Sequence, residues 1–145
     1  MSICYNSGGL LVHAAEGWLD VTDQIEADDP PFTLTKPDGV GAMQFSVATY
    51  QRGLSPEITT NQLGHLLDDF ALSRELGRGF DPTEVKSPLM ICARSFDHGD
   101  NFLRVWYCSD GKNVVLVTYV CAKGHQNAEL TDCERMVADL KFAKE

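Results

Sequence analysis

Apolar and polar positions are most sharply patterned in the C-terminal third of the chain. Phe102 to Cys108 and Val114 to Cys121 are β-prone runs flanking Asp110-Gly111. Both turn residues tolerate the positive φ of a type I′ turn, so the segment predicts an antiparallel hairpin. A two-residue turn would pair Ser109 with Lys112, Tyr107 with Val114, Trp106 with Val115 and Arg104 with Val117. One face then carries Leu103, Val105, Tyr107, Val114, Leu116 and Thr118, a plain core surface. The other carries Phe102, Arg104, Trp106, Val115, Val117 and Tyr119, nearly as apolar but with an arginine and three aromatics. A sheet apolar on both sides is covered on both, the commoner outcome, or offers one side to a partner.

Upstream the signals alternate between strand and helix. Leu10 to His13, after Gly8-Gly9, and Gly17 to Val21 read as short strands, Phe32 to Thr35 as another, and Lys36-Pro37-Asp38-Gly39 as a turn. Ala42 to Tyr50 alternates in part, as a half-buried antiparallel strand does. Thr59-Thr60-Asn61-Gln62 has capping-box spacing and precedes Leu63, Leu66, Leu67, Phe70 and Ala71, a single helical stripe ended by Gly77-Arg78-Gly79. Beyond the breaks at Pro82 and Pro88, Leu89 to Phe96 predicts a strand and Asp97-His98-Gly99-Asp100 a turn. Thr131-Asp132-Cys133-Glu134 reads as a second capping box, opening a helix with inner stripe Cys133, Met136, Val137 and Leu140. With no repeat or long linker, residues 1–145 are expected to form a single α+β domain: an antiparallel β-sheet with two helices packed on it and room for a second small sheet.

Charge changes the picture in one region. Asp20, Asp23, Glu26, Asp28 and Asp29 precede Pro30-Pro31 with no basic residue among them, which predicts an exposed acidic loop. The whole chain has a net charge of -9 over 145 residues, the wrong sign for a nucleic-acid binder. Such acidity serves solubility as readily as it serves a basic protein partner. There is no run long and apolar enough for a membrane helix, and the opening residues lack the pattern of a signal peptide, so a cytoplasmic address and no membrane association are expected. The five cysteines, Cys4, Cys92, Cys108, Cys121 and Cys133, include no CxxC pair, and four lie in apolar segments, as reduced structural thiols do.

Candidate chemistry is thin. Cys121, His125 and Cys133 fit no standard zinc spacing, and no cysteine can be placed beside a histidine as an activated nucleophile. Asp97, His98 and Asp100 put two carboxylates around an imidazole, yet these residues are also ordinary turn formers. Gly39-Val40-Gly41 and Gly77-Arg78-Gly79 lack the frame of a phosphate loop. The sequence therefore points to no catalytic residue, no metal and no cofactor.

Gly17-Trp18-Leu19-Asp20, Arg104-Val105-Trp106-Tyr107, Leu116-Val117-Thr118-Tyr119-Val120-Cys121 and the segment Glu134 to Phe142, ending Leu-Lys-Phe, occur in an order that resembles the PsbP-like fold. Within it the chain looks like the small bacterial DcrB-related proteins. The resemblance implies a non-catalytic binding protein; bacterial members include adaptor chaperones for type VI secretion effectors, and small acidic proteins of this kind also resemble immunity partners of antibacterial toxins. The acidic loop is a departure from that pattern. The leading expectation is an immunity protein whose carboxylates at Asp20, Asp23, Glu26, Asp28 and Asp29 meet a basic toxin. Next comes an effector adaptor using the face of Phe102, Arg104, Trp106 and Tyr119, and a distant third is a small hydrolase-like enzyme using Asp97, His98 and Asp100. Homodimer formation is left open.

Overall fold

The computed structural model describes residues 3–49 and 58–142. Strands β1 (Ile3–Ser7) and β2 (Leu10–Ala14) form a hairpin with Ser7 opposite Leu10, and Gly8 and Gly9 supply the two positive φ angles of its turn. Then follow β3 (Leu19–Asp20), β4 (Phe32–Thr35), β5 (Gly41–Thr49), α1 (Thr60–Ser73), β6 (Phe80–Val85), β7 (Met90–His98), β8 (Asn101–Ser109), β9 (Asn113–Ala122), α2 (Leu130–Ala138) and β10 (Lys141–Phe142). A seven-stranded antiparallel sheet is ordered β3-β4-β5-β9-β8-β7-β6, and a three-stranded sheet is ordered β1-β2-β10. The α+β class, with two helices on a large antiparallel sheet, is the one the pattern implies.

The helices lie on opposite faces of the large sheet. On one face Leu63, Leu67, Phe70 and Ala71 of α1 pack with Cys92, Phe96, Val105 and Val114. On the other, Cys133, Met136, Val137 and Leu140 join Leu10, Val12 and Ala14 of β2 over Phe45, Trp106, Val117 and Tyr119. The predicted capping box at α1 is present: Thr59 Oγ1 accepts from the Gln62 backbone N–H at 3.3 Å, and Gln62 Oε1 accepts from the Thr59 N–H at 2.9 Å. Leu66 drops out of the buried stripe at 36% exposure, because α1 presses only its narrower face on the sheet.

Four local expectations are corrected. The β8–β9 loop has four residues rather than two, since Asp110 accepts from the N–H groups of Lys112 and Asn113 and Ser109 pairs with Val114. The register moves by two, an even shift that leaves every side chain on its predicted face. β6 was not expected, because Pro82 sits inside it. The proline is tolerated on this outermost strand, where Asp81 takes a φ of 52° and the register slips between Phe80 and Thr83. Helix α1 stops at Ser73, ahead of Gly77, where the Leu76 N–H bonds back to the Ala71 carbonyl. The second capping box does not form: α2 starts at Leu130 with Glu129 at the cap, and Thr131 lies inside the helix. Tyr50, the last residue of the strand predicted from Ala42, lies outside the described residues.

Candidate partner-binding surfaces

The acidic segment leaves the β3 edge of the large sheet as an exposed loop. Asp20 is already engaged, since its carboxylate accepts from the Thr22 N–H at 2.9 Å and the Thr22 hydroxyl at 2.6 Å. Thr22 Oγ1 in turn accepts from the Thr33 N–H at 2.9 Å, which ties the loop to β4. Asp23, Glu26, Asp28 and Asp29 are exposed, and among the described residues none has a cationic partner. Four uncompensated carboxylates on one short loop repel each other, a cost relieved by solvent, salt or a basic surface.

The aromatic face is not a surface. Phe102, Arg104, Trp106 and Tyr119 are all buried, at most 4% exposed, beneath α2 and β2, so they are unavailable to a partner in this fold. The charge of Arg104 is met internally. Its Nε donates to Glu134 Oε1 at 2.6 Å, and its terminal nitrogens donate to the Asp81 carbonyl, Ser95 Oγ and Thr83 Oγ1, each at 2.9 Å. Trp106 Nε1 donates to the same Glu134 oxygen at 3.1 Å. This network reaches from β8 across β7 to β6 and up to α2, so the arginine stitches the sheet to its helical cover.

The opposite face, which the sequence suggested was plain core, is the half-open one. Helix α1 lies over β7 and β8. Beyond it Leu103, Leu116 and Thr118 are only half-buried, and Val120 and Leu19 are 40% and 43% exposed. Register arithmetic assigned each side chain to the right face. It carried no information on which face the shorter helix and the small sheet would cover.

Sequence reasoning also missed Glu129. This buried carboxylate accepts from the Gly41 N–H at 3.0 Å, the Val40 N–H at 3.2 Å and the Tyr119 hydroxyl at 2.9 Å. It clamps the turn before β5 to the start of α2, and burial together with this hydrogen bonding pushes the Tyr119 phenol well up. Gly41 is needed there: a Cβ would stand 2.5 Å from the Val120 carbonyl oxygen. Trp18 Nε1 adds a second tie to α2 by donating to Asp132 at 3.0 Å.

The remaining candidates are dispersed. Cys121 and Cys133 are buried while His125 is exposed, and among the described residues no group of three acidic, histidine or cysteine side chains is arranged to hold a metal. All five cysteines are free thiols, and burial raises the pKa of Cys92, Cys108, Cys121 and Cys133, the wrong direction for a nucleophile. Asp97, His98 and Asp100 sit exposed at the β7–β8 turn, with Asp97 3.6 Å from Lys123.

The fold is similar to that of solved structures. A protein from Bacteroides thetaiotaomicron VPI-5482 superposes with a TM-score of 0.65 at 13% identity, over 99% of this chain and 48% of its own. This chain thus spans about half of that protein. Cyanobacterial PsbP, CyanoP, from Synechocystis sp. PCC 6803 matches with a TM-score of 0.64 at 8% identity, over 97% of this chain and 92% of its own. The fold is PsbP/Mog1-like. A point mutant of the protein Mog1 gives a TM-score of 0.65 at 6% identity, over 99% of this chain and 97% of its own. At such identities the likeness establishes fold alone. No protein-family model matches the chain, and no curated protein matches its sequence.

Proposed function

We propose that this PsbP/Mog1-like protein is a non-catalytic, cytoplasmic binding protein for a basic protein, and that it acts as an immunity protein neutralising an antibacterial toxin by direct contact. The observation that carries this reading is the loop of exposed carboxylates Asp23, Glu26, Asp28 and Asp29 without cationic partners among the described residues. The loop follows the exposed Leu19 directly in the chain, and carboxylates steer a cationic partner that neighbouring apolar area then helps to hold.

The test is association with the basic protein that co-purifies from native cells, followed at low and moderate salt. The combined amide variant Asp23→Asn, Glu26→Gln, Asp28→Asn and Asp29→Asn removes the charges, and asparagine tolerates the left-handed backbone at position 29, where φ is 55°. Association should slow about tenfold or more and lose most of its salt dependence, with little change in melting temperature. Unaltered binding and protection would retire the reading.

A second reading, an adaptor chaperone for a secreted effector, is favoured by the exposure of Leu19 and Val120. It moves the apolar acceptor from the buried Trp106 face to the opposite side of the sheet. Capture lost on Leu19→Asp or Val120→Asp but kept by the amide variant would select it.

A further inference from the structure

We propose that the groove between α1 and β6 receives an extended peptide bearing lysine or arginine, which adds as a strand to the outer edge of β6. This site is separate from the acidic loop, since β3 and β6 are the two ends of the seven-stranded sheet.

The groove has a volume of about 480 Å³ and is walled by α1 on one side and β6 on the other, with Cys92 in its floor. Cys92 donates to the Thr60 carbonyl at 3.4 Å and, with its pKa raised by burial, presents a neutral floor. Arg94 is neutralised by Asp68 at 2.9 Å. Glu84, on the opposite wall, has no cationic partner among the described residues, so the groove is acidic overall. A cationic side chain is the complement to that carboxylate.

Gly64 supplies an independent observation. Glycine in a helix interior is less stable than alanine there, and a packing clash is its usual justification. Here an added Cβ would meet nothing within 4 Å, and the position lines the groove. The free protein has no packing need for the glycine. Its effect is to leave the helical wall open to an occupant.

The edge decides between a peptide and a small molecule. The groove opens to solvent, whereas small-ligand pockets bury most of their ligand. The outer edge of β6 pairs with no strand among the described residues. Pro82 and the bulge at Asp81 guard its first half, as edges are commonly guarded, but Thr83, Glu84 and Val85 run in regular register against Ala93, Cys92 and Ile91. Those three residues offer main-chain partners beside the groove, the arrangement by which strand addition gives affinity and adjoining pockets give selectivity.

The experiment uses the full chain carrying the four amide substitutions in the acidic loop, so that the loop cannot bind the probe. Two labelled peptides of equal length, alternating valine and threonine with either lysine or glutamate on one face, are titrated by anisotropy and by amide NMR. The lysine peptide should bind, with shifts concentrated in Thr83 to Val85 and Asn61 to Asp68. Glu84→Lys and Gly64→Leu should each weaken it about tenfold or more. Gly64→Leu should also keep or raise the melting temperature, since leucine is the better helix former, so lost binding is not lost folding. The proposal is overturned by absent or equal binding of the two peptides, by shifts away from β6, or by N-acetyl-lysine amide binding as tightly as the peptide, which would indicate a small-ligand site. Self-association abolished by Thr83→Pro would assign the edge to a second copy of the chain and overturn it as well.

Discussion

Arg104 and Glu129 are buried ionisable side chains with opposite solutions to the same cost. Arg104 meets a carboxylate and three neutral acceptors, whereas Glu129 has no ion-pair partner among the described residues and is held by two backbone N–H groups and a phenol. Removing an acceptor leaves its donors desolvated and unpaired, which costs more than the net worth of the bonds. Glu129→Ala should therefore lower stability by about 3 to 5 kcal/mol in urea unfolding. Glu129→Gln, which keeps one acceptor oxygen, should lose clearly less, and Tyr119→Phe about 1 kcal/mol. If alanine and glutamine variants are equally stable, the carboxylate is not the clamp. Neither side chain's role was legible in the sequence: the partners of Glu129 are two main-chain groups of a distant turn and a phenol on another element. Arg104 looked like a binding residue for the same reason: an arginine among aromatics reads alike whether it is covered or exposed.

Elements were legible where a local rule dominated. The Thr59 to Gln62 box follows from spacing alone and is present; the turn expected over Asp97 to Asp100 narrows to Gly99-Asp100 because β7 runs on to His98, and the stripe of Cys133, Met136 and Val137 is buried on α2, with Leu140 buried just beyond the helix. Expectations failed where tertiary context chose between local options. Pro82 ends a strand only if its missing N–H is needed, and on the outer strand it is not. Thr131 could cap a helix, but the helix begins earlier, with its first turn anchored through Glu129. The β8–β9 loop is longer than Asp-Gly implied because the Asp110 carboxylate collects the N–H groups of Lys112 and Asn113 and the Asn113 side-chain amide. Partial burial would raise this carboxyl, but those hydrogen bonds outweigh it and hold the pKa below the ordinary 3.8. The sign follows from the depressed folded value: the contribution is present above the ordinary pKa and is lost as pH falls through the folded one. Asp110→Asn should cost about 1 kcal/mol at neutral pH, after solvent screening. The gap from the parent should close in melts taken below about pH 4, and a gap independent of pH would mean that charge plays no part.

At the scale of the molecule, the two faces of one sheet are finished differently. The aromatic face is sealed by α2 and β2, while the other is left half-open beyond α1, where Leu19 and Val120 are exposed. The sealed interior also sets an alkaline limit. Burial raises the pKa of Cys92, Cys108, Cys121 and Cys133 above the ordinary thiol value of 9.0, and raises Tyr107 and Tyr119 above 10.0. These groups stay protonated in the folded chain while the unfolded chain ionises. A raised folded pKa contributes stability that is complete below the ordinary value and lost as pH rises towards the folded one. Unfolding free energy measured in reductant should thus fall steadily above about pH 9, by up to about 1.4 kcal/mol per pH unit for each fully protected thiol. The net charge of -9 also disfavours the compact state, but that repulsion is screened by salt, whereas the proton linkage of buried thiols is not. Melts at low and high salt separate the two. The slope above pH 9 should persist in high salt and become shallower in Cys108→Ala; a slope that salt abolishes would assign the alkaline loss to surface charge instead.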